Sequence, residues 1–493
     1  MSTQPVPITR TFAGLSWAAA RWSDFRGAAR RGGRAVIGRF LLNISPTAWM
    51  GLDLLIVCIG TLIGQRVFVW WHADVSVLAD YRLWLTSTAL GCAVVLAGQM
   101  FGLYEHKALW SSLRIVARSL LTILFAMLAT AVILRVFLYS DISRRTAAFT
   151  IVFYLVCATG VRLLAHRAVL RVRRGLLLVG HGSGTSMLLR AIQHGRLEGY
   201  RLCGIVSDDP RRHGHTIRGV PVLGGVEHLE RMLARHDIEE VVVADRGERS
   251  ACYERAAMIC LRHGCRLTNE ATFYETAFGE VPVAHISPKW FFSADLRGQR
   301  EEHAALKRVC DVAVSLTGLL ITLPLWPAMI LLIRMQDGGP AFYAQRRVGL
   351  RGTTFRLIKF RTMTLNAERG GCVWAADNDP RVTRIGRWLR RTRLDELPQL
   401  WNVLRGDMSM VGPRPERPDI VEPLSRLIPH YQERHLVKPG VTGWAQIRYR
   451  YGASVADARR KLQFDLYYIK HMSLELDLLI LLRTVGTFLL GAR

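Results

Sequence analysis

Before residue 165 the chain carries four apolar runs of near-bilayer length, at 49–69, 83–103, 120–138 and 147–164. Each approaches the ~20 residues an α-helix needs to cross about 30 Å of hydrocarbon. The competing structure, four buried helices of a soluble bundle, calls for polar faces that these runs lack. The charge balance bears on the same choice. Half of the 493 residues are hydrophobic, yet 66 Lys and Arg stand against 39 Asp and Glu, a net charge of +27. Such an excess suits either a nucleic-acid binder or a membrane protein with basic cytoplasmic segments. Here the basic residues track the flanks of the apolar runs, so the reading is membrane lipid and no nucleic acid.

Orientation follows from the same flanks. Residues 1–40 hold seven arginines and one acid, the loop at 72–82 is nearly free of basic residues, and Arg167, Arg171, Arg173 and Arg174 follow the fourth run. The positive-inside rule then puts both ends of the four-helix unit in the cytoplasm, with Arg144 and Arg145 as outer-loop exceptions. The first run begins near residue 48, too late and too long for a cleaved signal peptide. This divides the front of the chain into a basic cytoplasmic tail, 1–45, and four transmembrane helices, 46–170. Nine scattered cysteines form no CxxC pair, which predicts neither a zinc site nor a disulfide framework.

From 171 to 270 the texture becomes alternating. The stretch GLLLVGHGSGTSMLLRAIQ is an apolar run, a glycine turn and a helical pattern; RLCGIVSDD, VPVLG and EEVVVAD supply further strands. This alternation predicts a parallel, Rossmann-like α/β domain in the cytosol. Gly180, Gly182 and Gly184 resemble a dinucleotide turn, but Thr185 stands where G-x-G-x-x-G places its last glycine. Asp208 lies near where a ribose-binding acid would sit. Nucleotide binding and a purely structural or regulatory role both remain open for this domain. A linker is expected at 271–304.

A fifth apolar segment, DVAVSLTGLLITLPLWPAMILLI at 311–333, is also long enough to span. Lys307 and Arg308 precede it; Arg334, Arg346, Arg347 and Arg351 follow it. Positive charge on both sides conflicts with crossing. Pro324 and Pro327 lie mid-segment, where each removes a backbone donor and breaks the helix. The prediction is a re-entrant helix broken at Pro324, with the Thr322 hydroxyl serving freed backbone groups. Beyond it, Arg381, Arg384, Arg387 and Arg390 recur every three residues beside Ile385, Trp388 and Leu389, which predicts a basic amphipathic helix on an anionic leaflet. The run 476–490 is too short to span and is expected to pack on the domain or dip into the interface.

The stretch RLDELPQLWNVLRGDMSMVGPRP, 393–415, sets two adjacent acids among arginines. Asp395 reads as the N-cap of the helix that follows Pro398. At a helix N-terminus it is expected to stay ionised with a depressed pKa. Paired acids amid arginines suit a divalent cation together with phosphate oxygens, and an ionised aspartate can attack phosphorus.

These segments together with KFRTM (359–363), NDPRVTRIG (378–386) and KPGVTGWAQ (438–446) resemble the bacterial sugar transferase family. The resemblance covers 305–493 and implies a predominantly α-helical, monotopic catalytic domain there. The four spans and the middle domain ahead of it resemble the family's long form. The resemblance implies transfer of hexose-1-phosphate from a UDP-hexose, glucose or galactose, to undecaprenyl phosphate with release of UMP, initiating exopolysaccharide, capsule or O-antigen synthesis. It implies Asp395 as nucleophile and Glu396 in proton handling or, with Asp395, in holding Mg²⁺. It implies Lys359, Arg361, Arg393 and Arg414 on the phosphates, Gln345 and Arg347 near the nucleotide, and Arg450 in place of an arginine in the family's Asn-Gly-Arg stretch. Leu323-Pro324 replaces the family's usual Ser-Pro at the hairpin break. The expected location is the bacterial inner membrane, multi-pass, with catalysis on the cytoplasmic face; a homodimer is also implied. The competing reading is a non-catalytic membrane scaffold or regulator of polysaccharide export, against which the intact Asp395, Glu396 and Arg414 count.

Overall fold

The computed structural model describes residues 44–69, 81–104, 112–137, 144–169, 174–286 apart from 198 and 245–250, then 290, 298–365, 367, 379–449, 452 and 454–489. The tail at 1–43 and Arg450 lie outside the described residues.

Each of the first four apolar runs forms one helix: α1 (Pro46–Val69), α2 (Tyr81–Met100), α3 (Ser112–Phe137) and α4 (Arg144–Val169). Segments of α1, α3 and α4 are long and apolar enough to cross a membrane; the qualifying stretch of α2, Thr86–Met100, is shorter. The chain is a membrane protein by these helices. They pack as a closed ring, each on the next and α1 on α4. Gly60 and Gly64, one turn apart, let α1 approach α4: a Cβ on either would come within 2.8 or 2.9 Å of Phe153 or Phe149.

Inside this ring sits an ion pair that the sequence reading missed. Arg162 donates to both oxygens of Asp53 at 2.8 Å, and the Tyr104 and Tyr154 hydroxyls donate to Asp53 Oδ2 at 2.9 and 3.1 Å. Both charged side chains are buried. Every oxygen is satisfied, so the pair closes α1 onto α4 without an orphan charge. Asp53→Ala is expected to cost about 3–5 kcal/mol, because it leaves the Arg162 charge buried and alone. Replacing both partners by apolar residues should recover most of that loss, as read by thermal melts in detergent.

The middle of the chain forms a six-stranded mixed sheet. Its strands are β1 (Arg174–Val179), β2 (Tyr200–Val206), β3 (Thr216–Ile217), β4 (Val220–Gly224), β5 (Ile238–Val243) and β6 (Arg266–Asn269), in the order β3-β4-β2-β1-β5-β6. The β2/β4 and β5/β6 pairs are parallel and β3/β4 is antiparallel. Helices α5 (Ser183–Gln193), α6 (Leu229–Arg235) and α7 (Ala251–His263) alternate with the strands. The stretch read as a linker contains α8 (Glu270–Phe278), capped by the Asn269 side chain and stopped at Gly279, φ 66°.

The rest begins with α9 (Gly298–Thr322), a 3₁₀ turn at Leu323–Leu325 and α10 (Trp326–Asp337). The break falls at Pro324, as its missing N–H requires. Thr322 Oγ1 donates to the Gly318 carbonyl at 2.7 Å, one turn back. A hairpin follows, β7 (Phe342–Val348) and β8 (Thr354–Phe360), paired Phe342 to Phe360 and Val348 to Thr354. Then come α11 (Arg384–Thr392), α12 (Gln399–Arg405), β9 (Ser409–Val411), α13 (Pro418–Leu427), β10 (Gly440–Thr442), α14 (Trp444–Arg448), α15 (Val455–Lys470) and α16 (Leu474–Leu489). Strands β9 and β10 pair in parallel. The last helix packs onto the domain: Ile480 is buried, and Asp477 binds Lys307 at 2.6 Å and the Tyr468 hydroxyl at 2.7 Å.

The basic helix differs from the three-residue pattern. Arg381 precedes α11 and pairs with Asp379, and Arg390 turns inward to Thr362 Oγ1 at 2.9 Å. Leu389 is buried and Ile385 packs beside it, while Trp388 is half exposed. The reason is geometric: at 100° per residue a spacing of three drifts off one face within two turns.

Candidate active site

Three pieces of chain converge on the acid pair. Strand β8 brings Lys359. The end of α11 brings Arg393, whose φ of 58° turns the backbone left-handed, an unusual state for a non-glycine residue. That turn drops the chain directly into the 3₁₀ segment Leu394–Glu396. The arm after β9 brings Arg414. Its position depends on close backbone approach at Gly412, where a Cβ would lie 2.4 Å from the Lys438 carbonyl. The motifs VGPRP and KPGVTG are thus one interlocked unit, with Gly412 N donating to Thr442 O and Gly440 N to Pro413 O, both at 2.9 Å.

Glu396 is the hub. Arg414 Nη2 lies 2.8 Å from its Oε1, and Lys359 Nζ and Arg393 Nη1 each lie 3.5 Å away. Burial alone would raise its pKa. Arg414, Lys359 and Arg393 outweigh that and hold it well below the carboxylate range. Burial pushes Lys359 below the ordinary lysine range, against the pull of Glu396.

Asp395 differs from the expectation on two counts. It caps no helix: α12 begins at Gln399, with Pro398 at its N-cap position and no side-chain cap. Its pKa is not depressed but pushed up to about 6, by burial and then by the charge of Glu396, against Lys359, Arg390 and Arg393. Among the described residues Asp395 Oδ1 has no hydrogen-bond partner. The adjacent carboxylate has taken the cations, and desolvation decides the rest. The result is a buried, under-satisfied carboxylate that is more basic than a free aspartate.

The other expected residues divide. Arg347 donates to Gln345 Oε1 at 2.6 Å and to the Pro415 carbonyl at 3.1 Å, which places both residues beside the Arg414 arm. Burial lowers the Arg347 pKa, and Arg414 and Arg417 lower it further against Glu416. Arg361 turns away from the acid pair. It pairs with Asp337 at the foot of α10 and packs over Gly339.

Three supporting residues carry no signal in spacing or charge pattern. Asn402 on α12 accepts from Ile358 N at 3.0 Å and donates to Arg356 O at 2.7 Å, so it holds β8 as a neighbouring strand would and fixes where Lys359 stands. Arg434, buried and paired with Asp465 at 2.8 Å, donates to the Arg414 carbonyl at 3.1 Å. Asp311 of α9 accepts from Ser409 Oγ at 3.1 Å and Met410 N at 2.9 Å, tying the broken helix to the same arm. The arrangement can bind phosphate anions against a cationic wall and present to them a carboxylate whose Oδ1 has no hydrogen-bond partner among the described residues.

Residues 302–491 match the bacterial sugar transferase family, and residues 99–245 match a family described as a CoA-binding domain. The UDP-N-acetylgalactosamine-undecaprenyl-phosphate N-acetylgalactosaminephosphotransferase of Aeromonas hydrophila is 45% identical over 217 residues, 44% of this chain and 51% of that protein. The UDP-glucose:undecaprenyl-phosphate glucose-1-phosphate transferase of Xanthomonas campestris pv. campestris is 45% identical over 166 residues, 32% of this chain and 34% of that one. The UDP-galactose-lipid carrier transferase of Erwinia amylovora is 32% identical over 337 residues, covering 64% of this chain and 68% of that protein. The first two similarities thus span only about half and a third of those relatives.

Proposed function

Because the chain belongs to the bacterial sugar transferase family, we propose that it transfers a hexose-1-phosphate from a UDP-hexose to undecaprenyl phosphate and releases UMP, the initiating step of a surface polysaccharide. The observation that carries this reading is the buried Asp395, with one oxygen unpartnered among the described residues, next to a Glu396 held by three cations.

In this mechanism the Asp395 carboxylate attacks the phosphorus that bears the sugar. An Asp–O–P bond forms, the anhydride P–O bond breaks, and UMP leaves with its electron pair. An oxygen of the lipid phosphate then attacks the same phosphorus, and the Asp395 carboxylate departs unchanged. One phosphoanhydride replaces another, so little net driving force is needed. Lys359, Arg393 and Arg414 would stabilise charge on the phosphate oxygens, and Arg347 would hold the nucleotide side. Glu396, kept ionised by its cations, is poorly suited to carry a proton at neutral pH; its role is to assemble the cations.

The residues fit Mg²⁺. Asp395 offers a hard oxygen without a hydrogen bond beside a second carboxylate, and magnesium commonly takes one or two carboxylates and completes its shell with water and substrate phosphates. Such an ion would neutralise charge developing on the transferred phosphate.

The re-entrant placement of α9–α10 belongs to the same reading. At one end Lys307 binds Asp477, and Arg308 donates to the Val403 and Leu404 carbonyls. At the other end Asp337 pairs with Arg361, and Met329 and Ile333 pack against Phe360 and Leu389. Both arms therefore rest on the same domain, and the turn between them exposes Leu320, Ile321, Leu323 and Leu325. A crossing segment would carry its two ends to opposite faces. With both ends of the four-helix unit in the cytoplasm, a segment that returns would keep catalysis on the cytoplasmic side of a bacterial inner membrane, where UDP-sugars are. A tag after Arg493 is accordingly expected to resist protease added to intact cells; its cleavage would sink the hairpin.

The deciding assay is UMP release by protein in nanodiscs with Mg²⁺, undecaprenyl phosphate and UDP-glucose, UDP-galactose or UDP-N-acetylgalactosamine. Lipid-dependent UMP from one donor supports the reading and identifies the sugar, for which glucose or galactose is our proposal. Folded protein that releases none from any donor would favour the scaffold.

A further inference from the structure

The glycine turn lies where open α/β sheets take nucleotides. At β1 the strand order reverses, with β2 and β4 to one side and β5 and β6 to the other. Ligands of such sheets bind beyond the carboxyl ends of the strands at that reversal. Ala244 N, at the end of β5, donates to Val179 O at 2.8 Å, and the Ala244 carbonyl lies 3.4 Å from where a Cβ on Gly182 would be. The turn leads straight into the N-terminus of α5, the usual seat of a phosphate.

That seat is already taken. The carboxylate of Glu270, the first residue of α8, lies against Gly184: a Cβ there would fall 1.3 Å from Oε2 and 2.8 Å from Oε1. The Glu270 side chain is 14% exposed, and its Oε1 faces His285 Nδ1 at 3.6 Å. The residues present therefore do not fit coenzyme A or a dinucleotide, whose pyrophosphate would need this same place.

The far end of α8 is gripped by the transferase domain. Glu275 receives Trp290 Nε1, and Lys470 Nζ at 2.8 Å. Trp444 Nε1 donates to Gly279 O at 2.8 Å, and Arg448 to Phe278 O at 3.0 Å. Just beyond, the fully buried Glu280 bridges Arg196, which follows α5, to Arg460 of α15, at 2.6 and 2.7 Å.

We propose that Glu270 is a built-in stopper: its carboxylate closes the glycine turn to nucleotide phosphates and seats α8 as a brace between the sheet domain and the transferase domain. A module with nucleotide-binding architecture serves here as a rigid support.

The test uses full-length protein in nanodiscs and no activity readout. Gly184→Ala is expected to lower Tm by several degrees, because the new methyl drives the carboxylate from its seat. In a Glu270→Ala background the same methyl meets no carboxylate and should cost nothing further; additive losses overturn the proposal. By calorimetry, coenzyme A and NAD should show no saturable binding to the wild type, and Glu270→Ala should gain binding of at least one. Saturable binding by the wild type, or no gain in the variant, also overturns it. If Glu270→Ala does not fold, amide exchange on Gly184→Ala decides: faster exchange along α8 supports the stopper, and unchanged exchange there overturns it.

Discussion

Asp395→Asn is expected to lose sugar-phosphate transfer by on the order of 10⁴-fold or more, yet to melt at a higher temperature than the wild type at neutral pH. The two effects share one cause. Asp395 is buried, its Oδ1 has no hydrogen-bond partner among the described residues, and its folded pKa is about 6 against an ordinary 3.8. Above about pH 6 the carboxylate is ionised in both folded and unfolded chains, and the folded state bears the whole penalty, about 3 kcal/mol. As pH falls from 6 towards 3.8 the folded state takes up the proton first and the penalty fades. Below 3.8 both states are protonated and nothing remains. The asparagine variant removes this penalty, less what its own unpaired amide costs. Its Tm advantage should therefore be largest above pH 6 and vanish near pH 4, in melts run with a chelator so that no metal relieves the aspartate. An advantage independent of pH would contradict the burial account. Transfer near the wild-type rate would contradict Asp395 as nucleophile.

Glu396→Gln carries the opposite stability sign. It is expected to destabilise by about 3 kcal/mol, since removing one partner of a buried ionic cluster leaves the others uncompensated. Lys359, Arg393 and Arg414 would then face one another across a neutral amide. The contribution of Glu396 is present above the unfolded carboxylate pKa, 4.5, and is lost as pH falls through its depressed folded value. The stability deficit of the glutamine variant should thus shrink below about pH 4, in contrast to the asparagine variant at 395. Transfer is expected to fall by about 10²–10³-fold, with UMP release as the readout. A variant as stable as wild type at pH 7 would mean that the cluster holds itself together without the carboxylate.

Much of this was legible beforehand. The four helices, the break at Pro324 and the acid pair among arginines all rest on local properties: apolar length, a missing N–H, and residues adjacent in sequence. The partition of charge within the pair was not legible. Asp395 and Glu396 are chain neighbours with nearly the same chemistry, and only the approach of Arg414, 18 residues on, and of Lys359 on another strand makes one satisfied and the other orphaned. Arg390 sits in the same repeat as Arg387, yet it turns to Thr362 while Arg387 stays exposed.

By itself the sequence determined which segments are long and apolar enough for a membrane, where a helix must break, and where acids and cations suited to phosphoryl chemistry cluster, because hydrophobic length, proline and side-chain chemistry act without regard to distant neighbours. The tertiary structure alone decided how strongly each charge is held. Asp53 and Arg162, 109 residues apart, became one buried pair; Glu270 became the stopper of Gly184; and Asp395 became basic. Burial and pairing depend on which surfaces meet, and electrostatic free energies change most where water is excluded.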